Sequence, residues 1–202
     1  MNGAPRRLGL FGGTFDPPHI GHLVAAERFL TSLGLDQVWW LPCGTPALKG
    51  PATAPAELRG AMVAAAISGR PEFARCDLEL HRPGRSYTVE TLDQLHAAEP
   101  QAEWWLLLGL DALAELPRWR DPRRIVELAR PAVVQRPGSD LEAVLATLPA
   151  WLTERLARAP MPPLDIASRQ LRADVAAGRS IRYLVPAAVV ELIEKHRLYR
   201  DA

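Results

Sequence analysis

Cysteine is almost missing from this chain: its 202 residues carry only Cys43 and Cys76. They lie far apart and without metal-ligand spacing. That excludes a disulfide framework and a cysteine-based metal site, and points to reduced structural thiols in a cytoplasmic protein. An excess of charge is missing too. A formal net charge of +1 gives no electrostatic ground for nucleic acid or a membrane as partner. No run of 18 apolar residues occurs, which removes a spanning helix, and Met1 to Arg7 lead straight into an apolar strand rather than a signal peptide. Lysine is scarce: among 24 basic residues only Lys49 and Lys195 are lysine. Arginine forks suit bidentate phosphate contacts, but alanine and proline are abundant alongside, and coding bias explains that trio more simply. Internal repeats and low-complexity segments are absent.

What remains has the balance of a globular protein, with 48% hydrophobic and 23% charged residues, and a length that fits one domain spanning 1–202. Its most informative stretch is Leu8 to His22, LGLFGGTFDPPHIGH. Leu8, Leu10 and Phe11 begin a short apolar strand, Gly12 and Gly13 break it, and Pro17-Pro18 lead into His19 and His22. Leu23, Ala26, Phe29, Leu30 and Leu33 then recur at helical spacing, so a helix opens near Ile20. Glycines let backbone approach an anion closely, and a helix opening offers unpaired N–H groups and partial positive charge. His19 falls just before the first turn and His22 within it, so both imidazoles can donate to a bound phosphate. Taken singly, a histidine at a helix start is more often a cap or a surface residue.

Further along, 37–42 reads as a second strand, followed by a loop from Cys43 to Pro55 rich in glycine and proline. The spacing predicts a helix over 56–68 closed by Gly69, a strand over 73–80, and a helix capped by Ser86 or Thr88. Glu103 to Gly109 is nearly continuously apolar, as in a central parallel strand covered on both faces. It ends at Gly109-Leu110-Asp111, where a carboxylate meets a ribose hydroxyl or a helix N-terminus. Trp119 stands among Pro117, Arg118, Arg120 and Asp121, a setting that favours an exposed edge over the core. A short helix over 123–128, a strand and turn over 132–138, and a helical excursion over 140–158 interrupted by Pro149 follow. Leu164 to Ile166 reads as a last short strand before Ser168, Arg169 and Arg172, a second place where hydroxyl, N–H groups and guanidinium converge on an anion. Pro186 opens a final helix. Strand and helix alternate throughout, so the expected fold class is α/β, a Rossmann-like doubly wound parallel sheet with right-handed crossovers and its ligand outside the carboxyl ends of the strands.

GGTFDPPHIGH is similar to the nucleotidyltransferase signature GGTFDPxHxGH, and the chain from Leu8 to Tyr199 resembles the bacterial nicotinate-nucleotide adenylyltransferases. Ser86 to Leu92 resembles that family's SYTxxTL run, Gly109 to Trp119 its GxDxLxxLPxW run, 133–138 its VxxRPG, and 166–172 its ISSTxIR. The resemblance implies a nucleotidyltransferase-type fold and adenylyl transfer from ATP to nicotinate mononucleotide, with magnesium accompanying ATP and no dedicated protein metal site. It implies that His19 and His22 bind and stabilise the ATP phosphates. Gly12, Gly13, Thr14, Phe15, Gly109, Asp111, Ile166, Ser168 and Arg172 are further implied contacts to ATP; Arg169 either supplies a charge-assisted contact there in place of the lost threonine hydroxyl or points to solvent. Lys49, Thr88, Val89 and Trp119 fall at acceptor positions, the tryptophan stacking on the pyridine ring. Leu48, Ala167 and Arg169 depart from the pattern, standing for a histidine, a serine and a threonine. On the residues alone, Lys49 also reads as a solvated loop lysine, and Ser86 and Thr88 as simple caps. Phosphopantetheine adenylyltransferases share the histidine motif, but Trp119, the SYT run and the tail disfavour them. A nucleotide sensor without turnover is a rival of another class. The expected partners are small molecules, and the expected assembly a monomer or small homo-oligomer.

Overall fold

The computed structural model describes residues 4–45, 52–135 and 140–200. Lys49 and Leu48, together with Arg136 to Gly138, lie outside them. Two strands and a helix open the chain: β1 (Arg7–Gly13), α1 (Ile20–Leu33) and β2 (Gln37–Pro42). Then come α2 (Ala56–Ala66), β3 (Phe73–Arg75), α3 (Thr88–Ala98), β4 (Glu103–Leu108), α4 (Leu110–Glu115), α5 (Pro122–Leu128) and β5 (Arg130–Gln135). Short helices α6 (Leu141–Thr147) and α7 (Ala150–Thr153) precede β6 (Ala157–Pro160), α8 (Ser168–Ala176) and α9 (Ala187–Lys195).

The six strands form one sheet in the order β3-β2-β1-β4-β5-β6, and every pairing is parallel. β1 lies at its middle, Leu10 pairing with Trp39 on one side and Leu106 on the other. Side chains alternate across it with the period of two that a strand imposes. Leu8 and Leu10, with Trp104, Leu106 and Leu108 of β4, face a core shared with α3, α4 and α5. Phe11, Trp40, Trp105 and Leu107 face the opposite core, packed on Ala26, Phe29 and Leu30 of α1. A third apolar cluster joins Met62 of α2, Leu171 of α8 and Val189 and Ile193 of α9 to Tyr199. The chain leaves β1 toward β2 and later crosses back to β4. Loops after β1 and β4 therefore diverge, and the crevice between them is where such sheets bind ligands. No helix among the described residues is long and apolar enough to cross a membrane.

Several local expectations are corrected. The strand over 73–80 holds only for Phe73–Arg75, after which Leu78 to His81 form turns. α2 ends at Ala66 with Ile67 as its cap, while Gly69 takes φ +85° in the turn beyond. Residues 140–158 are not one helical excursion: α6 and α7 flank Pro149, and the last residues enter β6 as an edge strand. Leu164 to Ile166 forms no strand; the sheet's last strand is β6, ending at Pro160, and the chain runs on without regular structure into α8. β5 starts two residues earlier than expected, at Arg130.

Candidate active site

The turn after β1 opens onto the crevice. A Cβ added at Gly12 would meet nothing within 4 Å, and the same holds for Gly109 at the end of β4, so both backbones border open space. Gly13 has the opposite reason for being glycine, since a Cβ there would lie 2.9 Å from the Phe15 ring. Phe15, at φ +49°, is buried with its ring 5.2 Å from both His22 and Trp40. The aromatic wedge leaves Thr14 half-exposed at the rim.

His19 is the N-cap of α1, in extended conformation, and His22 is the third residue of the helix. The His19 N–H donates to His22 Nδ1 at 3.2 Å. An accepting Nδ1 puts the proton of the neutral His22 ring on Nε2, which becomes the outward donor. The two rings stack at 3.7 Å between centroids, 27° from parallel. Gly21 makes this stack possible: a Cβ there would sit 3.0 Å from His19 Nδ1. Gly21→Ala is expected to push the His19 ring aside by a few tenths of an ångström and lower kcat about tenfold, since small misplacements of a catalytic group are costly. Steady-state kinetics on the folded variant checks this.

Across the crevice, Asp111 is exposed in the first turn of α4, beside that helix's N-terminus. Trp119 follows a 3-10 turn at Leu116–Arg118 and is half-buried against the first core rather than sunk in it. Its neighbour Arg120 pairs with Glu90 of α3 at 2.7 Å and lies 4.9 Å over the Tyr87 ring. Arg120 thus brings Trp119 into the neighbourhood of Thr88 and Val89. Neither Ser86 nor Thr88 caps α3. Tyr87 is the N-cap without a side-chain bond, and Thr88 is already helical. The α3 opening therefore has amides that no side chain caps among the described residues, a fitting place for a carboxylate.

Ser168 and Arg172 come to the same turn from α8. Ser168 lies inside the helix rather than before it, with Ala167 as N-cap. Its hydroxyl donates to the Pro17 carbonyl at 2.9 Å, and Arg172 Nη1 donates to the Asp16 carbonyl at 2.7 Å. Ile166 is half-buried, its Cβ 3.8 Å from where a Cβ on Gly21 would sit, while Arg169 is exposed.

Sequence reasoning missed three buried groups that hold these parts together. Arg59 of α2 is only 1% exposed. Its guanidinium donates to the carbonyls of Ala54 (3.1 Å), Thr14 (2.8 Å) and Gly44 (2.9 Å), clamping the ends of β1 and β2 to the start of α2. Asp16 is also buried, and Thr53 and Ala54 donate their N–H groups to its two carboxylate oxygens at 2.7 and 3.1 Å. Glu79 accepts from the Thr91 hydroxyl at 2.7 Å, behind the start of α3. Neither Arg59 nor Glu79 stands in a local pattern that would reveal it, and Asp16, though within the signature, finds its partners far away in the chain.

Burial pushes the Glu79 carboxyl up, opposed by Thr91 and the Arg82 guanidinium. A carboxyl whose folded pKa exceeds its unfolded value contributes stability at low pH and loses it as pH rises through the folded pKa. Stability should therefore decline with rising pH more steeply in the wild type than in Glu79→Gln, as urea unfolding across that range will read. Burial likewise pushes the Cys43 thiol up, against the Arg59 charge. A protonated thiol 3.9 Å from the Thr14 hydroxyl is no nucleophile.

The cytidylyltransferase-like family matches this chain over residues 10–175. A protein of Roseiflexus sp. (strain RS-1) named probable nicotinate-nucleotide adenylyltransferase is 49% identical over 203 residues, covering 99% of this chain and 100% of the relative. A protein of the same name from Synechococcus sp. (strain JA-3-3Ab) is 43% identical over 198 residues, covering 97% and 96%. Among solved structures, Plasmodium falciparum nicotinic acid mononucleotide adenylyltransferase complexed with NaAD shares the fold, with TM-score 0.79 at 18% identity, covering 96% of this chain and 97% of that one.

Proposed function

This chain belongs to the cytidylyltransferase-like family and, within it, to the nicotinate-nucleotide adenylyltransferases, and from that membership we propose how its own residues carry the reaction. It is an enzyme of NAD biosynthesis that transfers the adenylyl group of ATP to nicotinate mononucleotide and releases pyrophosphate. A phosphate oxygen of the mononucleotide attacks the α-phosphorus in line. The new P–O bond forms as the bond to the bridging α–β oxygen breaks, and that oxygen leaves with pyrophosphate. No protein nucleophile is needed. Catalysis comes from positioning and from donors aimed at charge that builds on the phosphates.

The observation that carries the assignment of roles is the stacked His19–His22 pair at the opening of α1, beside the crevice between β1 and β4. These imidazoles donate to the triphosphate. Gly12, Gly13 and Thr14 give it backbone to lie against, Phe15 fixes their turn, and Gly109 and Asp111 meet the nucleoside from the opening of α4. Ile166, just before α8, forms a wall with Ser168 and Arg172 of that helix, and exposed Arg169 supplies a charge-assisted contact in place of the threonine hydroxyl of the ISSTxIR run that this segment resembles. On the acceptor side, Trp119 stacks on the pyridine ring and the Thr88 and Val89 amides take its carboxylate; Lys49, outside the described residues, is the acceptor-side lysine that the resemblance implies. ATP enters with magnesium. Phosphate and water oxygens would be its ligands, as suits a small hard cation. The reading extends to a single-domain enzyme of the cytoplasm, which the two free thiols support.

Pyrophosphate release tests it. ATP with nicotinate mononucleotide is expected to turn over faster than ATP with nicotinamide mononucleotide, because a carboxylate suits the α3 amides better than a carboxamide. Binding of ATP without release in either mixture would leave a sensor instead.

A further inference from the structure

The turn from Thr14 to Ile20 is braced from the far end of the chain. Four hydrogen bonds reach it from residues beyond 167. Two are those of Ser168 to the Pro17 carbonyl and Arg172 to the Asp16 carbonyl. A third runs from the Ile20 N–H to the Leu184 carbonyl at 2.9 Å. The fourth comes from Tyr199, whose hydroxyl donates to Asp16 Oδ1 at 2.8 Å, 183 residues away in sequence. Tyr199 and Asp16 are both buried, at 5% and 3% exposure, so this bond is shielded from water. Burial first, and then the Asp16 carboxylate, push the Tyr199 hydroxyl far up, which keeps it a neutral donor.

The backbone is strained at both ends of the link. Phe15 beside Asp16 has φ +49°, and Arg197 and Tyr199 have φ +51° and +63°. Non-glycine residues persist in that region where their surroundings impose it. At the far end those surroundings are the third apolar cluster, which holds the Tyr199 ring among Met62, Leu171, Val189 and Ile193. At the near end they include Asp16, whose carboxylate also anchors Thr53 and Ala54 at the entry to α2. One carboxylate thus ties the C-terminal segment, the start of α2 and the histidine turn together.

We propose that Tyr199 is a positioning residue for the transfer: through Asp16 its hydroxyl fixes the turn that presents His19 and His22 to the phosphates. It does not touch substrate. The proposal rests on the roles given above to the two histidines, but its test separates from theirs. Tyr199→Phe keeps the ring in its cluster and removes only the hydroxyl. In the full-length enzyme we expect kcat to fall about tenfold, the KM for nicotinate mononucleotide to stay within about twofold, and the imidazole 15N resonances of His19 and His22 to move. A folded Tyr199→Phe enzyme with unchanged kcat and unchanged imidazole resonances would overturn the proposal. Asp16→Asn supplies the second variant. Because the hydroxyl acts through this carboxylate, Asp16→Asn combined with Tyr199→Phe should lose no more than the worse single variant. Losses that multiply would equally overturn it. A wild type that releases no pyrophosphate would refute the histidine roles in catalysis, while the imidazole resonances would still decide the brace.

Discussion

Replacing His22 by alanine should lower kcat by on the order of 10²–10³, the usual loss when one preorganised donor is removed from a site of developing charge. KM for nicotinate mononucleotide should change little, because the acceptor lies against Trp119 and the α3 opening rather than against the imidazole. The side chain has a second task, since His22 Nδ1 accepts the His19 N–H. Alanine therefore also removes a cap interaction worth about 1 kcal/mol. His22→Gln separates the two effects. A glutamine at the third helical position can accept from the N-cap N–H, so it should restore stability while turnover remains low. Near-normal turnover in either variant would take His22 out of the chemistry.

The second large effect falls on stability. Arg59→Met leaves the carbonyls of Thr14, Gly44 and Ala54 without the donor that now satisfies them. Hydrogen bonds from a charged donor are worth roughly 1.5 kcal/mol each, so removing the three should cost about 4.5 kcal/mol. In a domain of this size that is a fall in Tm of roughly 10 °C. Arg59→Lys keeps the charge but not the planar fork, and cannot reach three separate carbonyls in fixed geometry. It should fall between the wild type and methionine. Urea unfolding reads both, and a loss below about 1 kcal/mol for methionine would show that the three segments hold together without the guanidinium.

The parts of this molecule that could be read from the sequence are those whose cause is local. The opening of α1 follows from Gly12-Gly13, Pro17-Pro18 and the leucine and phenylalanine spacing, all within one short stretch. β4 follows from an unbroken apolar run, because a central parallel strand is covered on both faces. β6 was hidden because Ala157–Pro160 contains no β-branched or aromatic residue, and the leucines before it carry a helical spacing into its start. The α3 cap was misread because Ser86 and Thr88 have cap chemistry, yet tertiary packing fixed the helix start at Tyr87. The supports of the site were illegible for another reason. Arg59 finds Thr14 across 45 positions and Tyr199 finds Asp16 across 183, and a lone arginine or tyrosine in a helix or tail has no pattern that announces such a partner.

The most direct test is a crystal structure of the enzyme with a non-hydrolysable ATP analogue and nicotinate mononucleotide bound. The account predicts phosphate oxygens within about 3 Å of imidazole nitrogens of both His19 and His22, with the pyridine ring against Trp119. A triphosphate lodged away from the opening of α1, or a pyridine ring that does not meet Trp119, would contradict it.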